Sequence, residues 1–166
     1  PLTRETVAHN VTHCVDWLRR CVQESSADLV VLPETCTTGF SPGMSAADLW
    51  DVVDDLPGDL TAPLDEAAAD LGIHLVYGAY ERGPEPGIVF NTAVLIGPAG
   101  ELLGRYRKTH PFCTEIVSGG GWVTPGDEAC VVETELGAIG LVICFDGDYP
   151  ELARIWHDAL VSRALA

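Results

Sequence analysis

The chain has 166 residues and is strongly acidic, with 25 aspartate and glutamate residues against nine lysine and arginine residues. A surface of this sign repels phosphate backbones, so nucleic acid is not an expected partner. No apolar run approaches the ~20 residues of a membrane-spanning helix, so membrane insertion is not expected either. The 47% of hydrophobic residues is enough for a sizeable core, and we expect a single domain over residues 1–166.

The six cysteines show no pairing pattern. They stand at positions 14, 21, 36, 113, 130 and 144. No two of them form a CxxC pair, and their spacing matches neither a zinc module nor a small secreted scaffold. We therefore expect reduced thiols in a cytoplasmic protein.

The first segment predicts an amphipathic helix over residues 3–26, because apolar residues recur there at steps of three and four. His9 and His13 share a face of this helix, and with Cys14 they offer a metal-site alternative. Exposed histidines are the favoured interpretation, and no metal is expected.

A carboxylate follows this helix at the end of a short apolar run. Residues 29–32 predict a strand that is covered on both faces, and Pro33 ends its hydrogen-bond ladder directly before Glu34. Such a carboxylate is either solvated at the rim of a sheet or held in a cleft. Burial in a cleft would raise its pKa and make it a usable general base.

The middle of the chain predicts two short helices and three strands. We expect helices over residues 45–56 and 61–71, and strands over residues 73–80, 88–96 and 101–107, of which the last two pair as a hairpin. Helices before and after adjacent strands indicate a sheet with helices on one face. The other face then needs a second sheet or a partner.

Three of the nine basic residues, Arg105, Arg107 and Lys108, fall within four positions. This segment is either a solvated edge that protects a strand end, or it points one cation toward an anionic intermediate. The following loop, residues 112–125, contains Glu115 and three consecutive glycines. A long loop of this kind is either functional or mobile.

A lone thiol ends the last predicted strand. Residues 129–133 and 138–144 predict a hairpin that ends at Cys144, and Asp148 with Glu151 predicts a capping box at the start of a helix. Free N–H groups at a helix start stabilise a thiolate, so we expect the pKa of Cys144 to fall. The alternative is that Cys144 is a small buried hydrophobic residue.

Glu34, Lys108 and Cys144 thus place a carboxylate, an ammonium and a thiol at three predicted strand ends. Their surroundings resemble the glutamate, lysine and cysteine motifs of the carbon–nitrogen hydrolase (nitrilase) superfamily. The matching segments are LVVLPETCTTGF, FNTAVLIGPAGELLGRYRKTHPF and ICFDGDYPELAR. The resemblance extends from Glu5 to Arg154.

The resemblance implies an α/β protein with an α-β-β-α sandwich and an active site at the sheet ends. It implies Glu34 as general base, Lys108 as the stabiliser of the tetrahedral intermediate and Cys144 as nucleophile. It also implies Glu115 as a second carboxylate and the backbone N–H of Phe145 as an oxyanion donor. The implied reaction converts a small amide into an acid and ammonia through a thioester on Cys144, without a metal or organic cofactor.

The residues after the cysteine indicate a branch of the superfamily. Phe145, Asp146 and Gly147, followed by Tyr-Pro-Glu, are similar to the aliphatic amidase and formamidase branch. Nitrilases usually carry Trp-Glu at this point and carbamoylases carry arginines, so nitrile and N-carbamoyl amide hydrolysis are the alternatives. A further alternative is an inert relative that serves as an interaction module. The resemblance also implies a partial chain, with the sandwich incomplete at both ends, and a homo-oligomer for the full-length protein.

Overall fold

Two sheets and four α-helices make up the part of the chain that the computed structural model describes, residues 2–164, with side chains to residue 158. The α-helices are α1 (Arg4–Ser25), α2 (Ala46–Val52), α3 (Ala62–Leu71) and α4 (Pro150–Ala164). The strands are β1 (Leu29–Val31), β2 (His74–Arg82), β3 (Val89–Ile96), β4 (Leu102–Arg107), β5 (Val131–Thr134) and β6 (Gly137–Gly140). Within residues 2–164, none of the helices combines the length and hydropathy that a membrane span requires.

The larger sheet has the strand order β1-β2-β3-β4. β1 runs parallel to β2, with Leu29 opposite His74, and the connection between them passes through α2 and α3. A parallel pair needs such a crossover, whereas β2, β3 and β4 are antiparallel and follow one another directly. The smaller sheet is the antiparallel β5–β6 hairpin. The predicted order of helices and strands is therefore confirmed through β4.

Apolar side chains pack between successive layers of the molecule. On one face of the larger sheet, Leu18 of α1 and Leu64 of α3 pack against Leu75 and Val94. On the opposite face, the hairpin and the residues after it cover Ala93, Leu95 and Tyr106. α4 lies against the hairpin, where the Trp156 ring packs over Gly140. The layers are helix, sheet, sheet and helix, which confirms the α-β-β-α arrangement.

Helix α1 forms because a reciprocal cap and an apolar stripe act together. Thr6 N donates to Thr3 Oγ1 at 3.2 Å, and Thr3 N donates back to Thr6 Oγ1 at 2.6 Å. The stripe buries Val7, Val11, Val15 and Leu18 at helical spacing. Each of these side chains contributes about 1.5–3 kcal/mol when it leaves water. The stripe holds α1 against the sheet that carries the candidate site.

The end of the chain differs from the prediction in two places. β6 ends at Gly140, so residues 141–143 are not part of a strand, and the Ile143 N–H donates instead to the Asp146 side chain at 3.1 Å. α4 begins at Pro150, which places Tyr149 rather than Asp148 directly before the helix. A proline at the first helical position has its backbone already arranged for a helix, and Asp148 is therefore not in the N-cap position that the predicted capping box requires.

Candidate active site

Glu34 lies just beyond β1, on a loop that runs alongside β2. Cys36 N donates to Gly78 O at 2.9 Å, which ties this loop to the strand. Gly78 makes the approach possible, because a Cβ there would lie 2.9 Å from Glu34 Cα and 3.0 Å from Thr35 N. Thr35 then turns the chain with a φ of 47°. Glu34 is thereby held at the rim of the sheet.

Lys108 follows β4, and its side chain is fully buried. Its Nζ donates to Glu34 Oε1 at 2.8 Å and to Glu115 Oε2 at 3.1 Å. Burial alone would lower the pKa of Lys108, but the hydrogen bonds and charges of the two carboxylates raise that pKa above its usual value. Within the basic segment of residues 105–108, Lys108 is thus a cation that points inward, and its raised pKa keeps it protonated at neutral pH.

Glu115 comes from the long loop after Lys108, and its side chain is also fully buried. Its carbonyl accepts from Trp122 N at 2.8 Å and from Val123 N at 2.7 Å, so the loop folds back on itself. Gly121 passes so close to the Glu115 backbone that a Cβ there would collide with it. The glycine run therefore allows the tight loop that places Glu115 beside Lys108.

Asn91 of β3 closes this group into a ring. Its Nδ2 donates to Glu34 Oε1 at 2.7 Å and to Glu115 Oε1 at 3.2 Å. Lys108 and Asn91 therefore donate to the same oxygen of Glu34. No hydrogen bond among the described residues reaches the other oxygen, Oε2. The carboxylate is held firmly and keeps one free acceptor.

Cys144 begins a short 3₁₀ segment, Cys144–Asp148, with a φ of 47°. A non-glycine residue in this left-handed region is strained by about 1–3 kcal/mol, so its surroundings must hold it there. Its side chain is exposed and shares a cleft of about 180 Å³ with Glu34. The interpretation of Cys144 as a small buried residue is therefore wrong.

The predicted fall in the pKa of Cys144 is also wrong. Burial and the negative charge of Glu34 raise the pKa of the thiol, while the Lys108 ammonium and the Phe145 backbone N–H act in the opposite sense. α4 begins at Pro150, and none of its groups is among the causes that act on the pKa of the thiol. The thiol is protonated at rest and needs a base.

The structure brings Glu34, Lys108 and Glu115 into one hydrogen-bonded group and places Cys144 in the cleft beside Glu34. The Phe145 N–H lies against the Cys144 sulfur. Their catalytic roles stay predictions. Asn91 lies within the segment that resembles the lysine motif, but the sequence pattern assigned no role to it or to Gly78. A glycine inside a strand, which often marks a close backbone approach, was the available signal for Gly78.

His9 and His13 lie outside this group, with ring centroids 4.6 Å apart. Among residues 2–158, no three side chains capable of binding a metal come together. The metal-site alternative therefore finds no coordinating cluster in the described side chains.

Known proteins align with most of this chain. The omega-amidase NIT2 of Homo sapiens is 30% identical over 152 residues, which cover 89% of this chain and 53% of NIT2. A nitrilase of Pyrococcus abyssi is 34% identical over 140 residues, which cover 81% of this chain and 50% of that enzyme. The chain spans about half the length of these curated relatives.

A solved structure extends the comparison to three dimensions. A mutant of the amidase from Nesterenkonia sp. AN1 superposes with a TM-score of 0.72 at 27% identity, over 93% of this chain and 57% of that chain. In that structure acrylamide has undergone Michael addition at the active site cysteine. The fold likeness thus covers almost all of the chain.

A sequence profile gives the family. The profile described as carbon-nitrogen hydrolase matches residues 2–159. This range includes the candidate site residues Glu34, Asn91, Lys108, Glu115 and Cys144. With a match over most of its length, this chain belongs to the carbon–nitrogen hydrolase family.

Proposed function

We propose that this chain carries the catalytic residues of a thiol amidase, which hydrolyses a small amide to an acid and ammonia. One observation carries the proposal: Lys108 and Asn91 both donate to Glu34 Oε1, which leaves Oε2 as a free acceptor, and Glu34 lines the same cleft as Cys144. A thiol that is protonated at rest needs such an acceptor before it can attack a carbonyl carbon. The amidases among the relatives support this choice of substrate class.

In the first half of the reaction, Cys144 attacks the amide carbon. The thiol proton passes to Glu34 Oε2 while the C–S bond forms and the carbonyl oxygen becomes an oxyanion. The Lys108 ammonium and the Phe145 N–H stabilise this oxygen. The proton then moves from Glu34 to the nitrogen, the C–N bond breaks, and ammonia leaves a thioester on Cys144.

In the second half, water hydrolyses the thioester. Glu34 takes a proton from the water, the resulting hydroxide adds to the carbonyl carbon, and the C–S bond breaks. The sulfur takes the proton back from Glu34. One amide and one water molecule are converted into one acid and one ammonia. Because the pKa of Lys108 is raised, its positive charge persists through the cycle at neutral pH.

Glu115 and Asn91 act as positioning residues in this scheme. Glu115 accepts from Lys108 through Oε2 and from Asn91 through Oε1. It thereby fixes both donors that hold Glu34. Without Glu115 we expect the Lys108 ammonium to pair with Glu34 alone, so that a single carboxylate would hold it in place.

Nitrile hydrolysis is the second candidate, because one relative is a nitrilase. The same thiol, base and ammonium could add sulfur to a nitrile carbon. The residues after the nucleophile are Phe145 and Asp146 rather than the Trp-Glu typical of nitrilases, and this favours an amide. N-carbamoyl amides are a less favoured substrate, since residues 145–149, directly after Cys144, contain no arginine.

The test compares propionamide with propionitrile as substrates and measures ammonia release. We expect ammonia from the amide, and a hydroxamate when hydroxylamine intercepts the thioester. The control is Cys144→Ala, which removes the sulfur and little else of the side chain. Ammonia release by this variant would show that Cys144 is not the nucleophile, and turnover of the nitrile alone would favour the second candidate.

An amide-shaped electrophile separates the enzyme from an inert interaction module without requiring turnover. We expect acrylamide to label Cys144 before the exposed thiols Cys113 and Cys21. Equal labelling of all three would favour the inert module. We further propose a cytoplasmic location and a homo-oligomer for the full-length protein. Sedimentation of that protein tests the second of these.

A further inference from the structure

A buried carboxylate lies two residues beyond Cys144. Asp146 has no exposed surface, and it accepts four hydrogen bonds through two oxygens. The donors are Ile143 N at 3.1 Å and Tyr106 Oη at 2.8 Å on Oδ2, and His110 N at 2.9 Å and Thr109 Oγ1 at 3.3 Å on Oδ1. The catalytic scheme above uses none of these contacts.

The donors come from two separate parts of the molecule. Ile143 directly precedes Cys144, whereas Tyr106, Thr109 and His110 surround Lys108. No lysine or arginine is among the donors. The His110 ring is the basic group that faces Asp146, with its Nδ1 at 3.4 Å from Oδ1, and the four hydrogen bonds satisfy the buried carboxylate. Asp146 therefore bridges the segment of the proposed nucleophile and the segment of the proposed oxyanion cation.

On the cysteine side, Asp146 closes a short turn through two hydrogen bonds with Ile143. Its side chain accepts from Ile143 N, and its own N–H donates to Ile143 O at 3.0 Å. Cys144 lies inside this turn with its φ of 47°. A strained backbone persists only where its surroundings fix it, and the Asp146 contacts supply that restraint.

On the lysine side, the same residues hold one another as well as Asp146. Thr109 and Tyr106 share a hydroxyl contact of 3.0 Å, and the His110 ring stacks on Tyr149 at 3.9 Å between centroids. Tyr149 belongs to the chain just beyond Asp146. The two segments are thus joined twice, by the carboxylate and by the ring stack.

We propose that Asp146 is a positioning residue that sets where the Cys144 sulfur lies relative to Lys108 and Glu34. This rests on the proposed function only in taking Cys144 as the nucleophile. A displacement of reacting groups by about 1 Å can cost about 100-fold in rate, so a bridge between two segments has a large effect on reactivity.

The main variant is Asp146→Asn, which is nearly the same size. An amide can accept through one atom only, and its NH₂ group would point at N–H or O–H donors on one side of the bridge. The matched control is Tyr106→Phe, which removes one of the four donors and leaves the carboxylate in place. Asp146→Glu restores the charge with a longer side chain.

The measurements are the rate of acrylamide labelling of Cys144 across pH, with Cys113 in the same molecule as reference, together with kcat, KM and the thermal midpoint. For Asp146→Asn we expect Cys144 labelling to fall by about tenfold or more relative to Cys113, and kcat to fall with KM nearly unchanged. We expect Tyr106→Phe to stay within about threefold of the original protein, and Asp146→Glu to recover part of the rate.

A folded Asp146→Asn variant with unchanged Cys144 labelling, pH profile and kcat would overturn the proposal, even if its thermal midpoint fell. If this variant does not fold, the double variant Tyr106→Phe with Thr109→Val replaces it, since it removes both hydroxyl donors and keeps the carboxylate. Unchanged labelling and kcat in that folded variant would also overturn the proposal. Failure of the proposed function is seen separately, in the original protein, as no preferential labelling of Cys144.

Discussion

Two buried carboxylate groups on neighbouring strands use their donors in opposite ways. The site group consists of Glu34, Asn91, Lys108 and Glu115, and the arginine group consists of Glu81, Thr92, Arg105 and Arg107. In the arginine group each oxygen of Glu81 has two donors: Arg105 and Arg107 on Oε1, and Thr92 and Arg107 on Oε2. In the site group both donors to Glu34 converge on Oε1.

The charges differ as well. One carboxylate faces two guanidinium groups in the arginine group, whereas two carboxylates face one ammonium in the site group. A carboxylate with every acceptor position filled and excess positive charge around it can only hold structure together. A carboxylate with one free oxygen and a deficit of cations can take up a proton. Open hydrogen-bonding capacity thus distinguishes the carboxylate of the candidate site from that of the structural group.

Glu34→Gln tests the free oxygen directly. The amide still accepts from Lys108 and Asn91 through one oxygen, but it can no longer take the thiol proton. We expect amide hydrolysis to fall by about 10²–10⁴-fold. Because the charge of Glu34 raises the pKa of Cys144, that pKa should fall in the variant, and acrylamide labelling should start at lower pH. Hydrolysis at the original rate would contradict the assignment of the base.

Lys108→Met tests the single cation of the site group. The variant removes the ammonium and leaves two buried carboxylates facing each other. We expect kcat to fall by about 10²–10³-fold, as for the loss of an oxyanion donor. Arg105→Met is the control, because it removes a cation from the arginine group only. An equal loss of kcat in both variants would indicate that the overall charge of the protein, and not the position of the Lys108 ammonium, determines the rate.

Arg107→Met tests the arginine group. It removes two of the four hydrogen bonds to Glu81, which is almost fully buried. Arg105 remains and compensates in part, so we expect the free energy of unfolding to fall by about 2–3 kcal/mol. Urea denaturation measures this change. The acrylamide reactivity of Cys144 should not change. A large change would show that the arginine group also affects the candidate site.

Asp65 is a third carboxylate to compare with Glu34 and Glu81. It accepts a hydrogen bond from Tyr77 Oη at 3.2 Å. Burial raises the pKa of Asp65 to about 6, from an ordinary value near 3.8. The folded state therefore binds the proton more tightly, so the stabilising contribution of the protonated Asp65 side chain is complete below pH ~4 and is lost as the pH rises toward ~6. After allowance for partial exposure, Asp65→Asn should raise the free energy of unfolding at pH 8 by about 1 kcal/mol. A lower thermal midpoint at pH 8 would contradict this.

Local sequence patterns predicted the strand ends that carry Glu34 and Lys108, because apolar runs followed by a proline or a charge are visible in a short window. The same window contains no information about which distant charges will approach a group. The pKa of Cys144 was therefore predicted in the wrong direction, since Glu34 reaches it only through the folded sheet.

The hydrogen-bond partners of Asn91 and Asp146 could not be predicted from local sequence patterns either. Asn91 looks like any polar residue of a buried strand, and Asp146 looks like a turn residue next to a glycine. Their importance comes from donors and acceptors on other strands, which the pattern of apolar residues does not specify. Gly78 and Gly121 were the accessible clues, because each marks a place where another backbone must pass closely.

The ring around Glu34 also has a consequence for biosynthesis. Its hydrogen bonds join residues separated by 57 positions for Asn91 and by 74 positions for Lys108. Contacts of such separation form only after the intervening chain has been made and closed into loops. The ribosome adds Glu34, Asn91, Lys108 and Glu115 before it adds Cys144. All contacts of the ring therefore join residues that are synthesised before Cys144, and none of them depends on the segment that carries the sulfur.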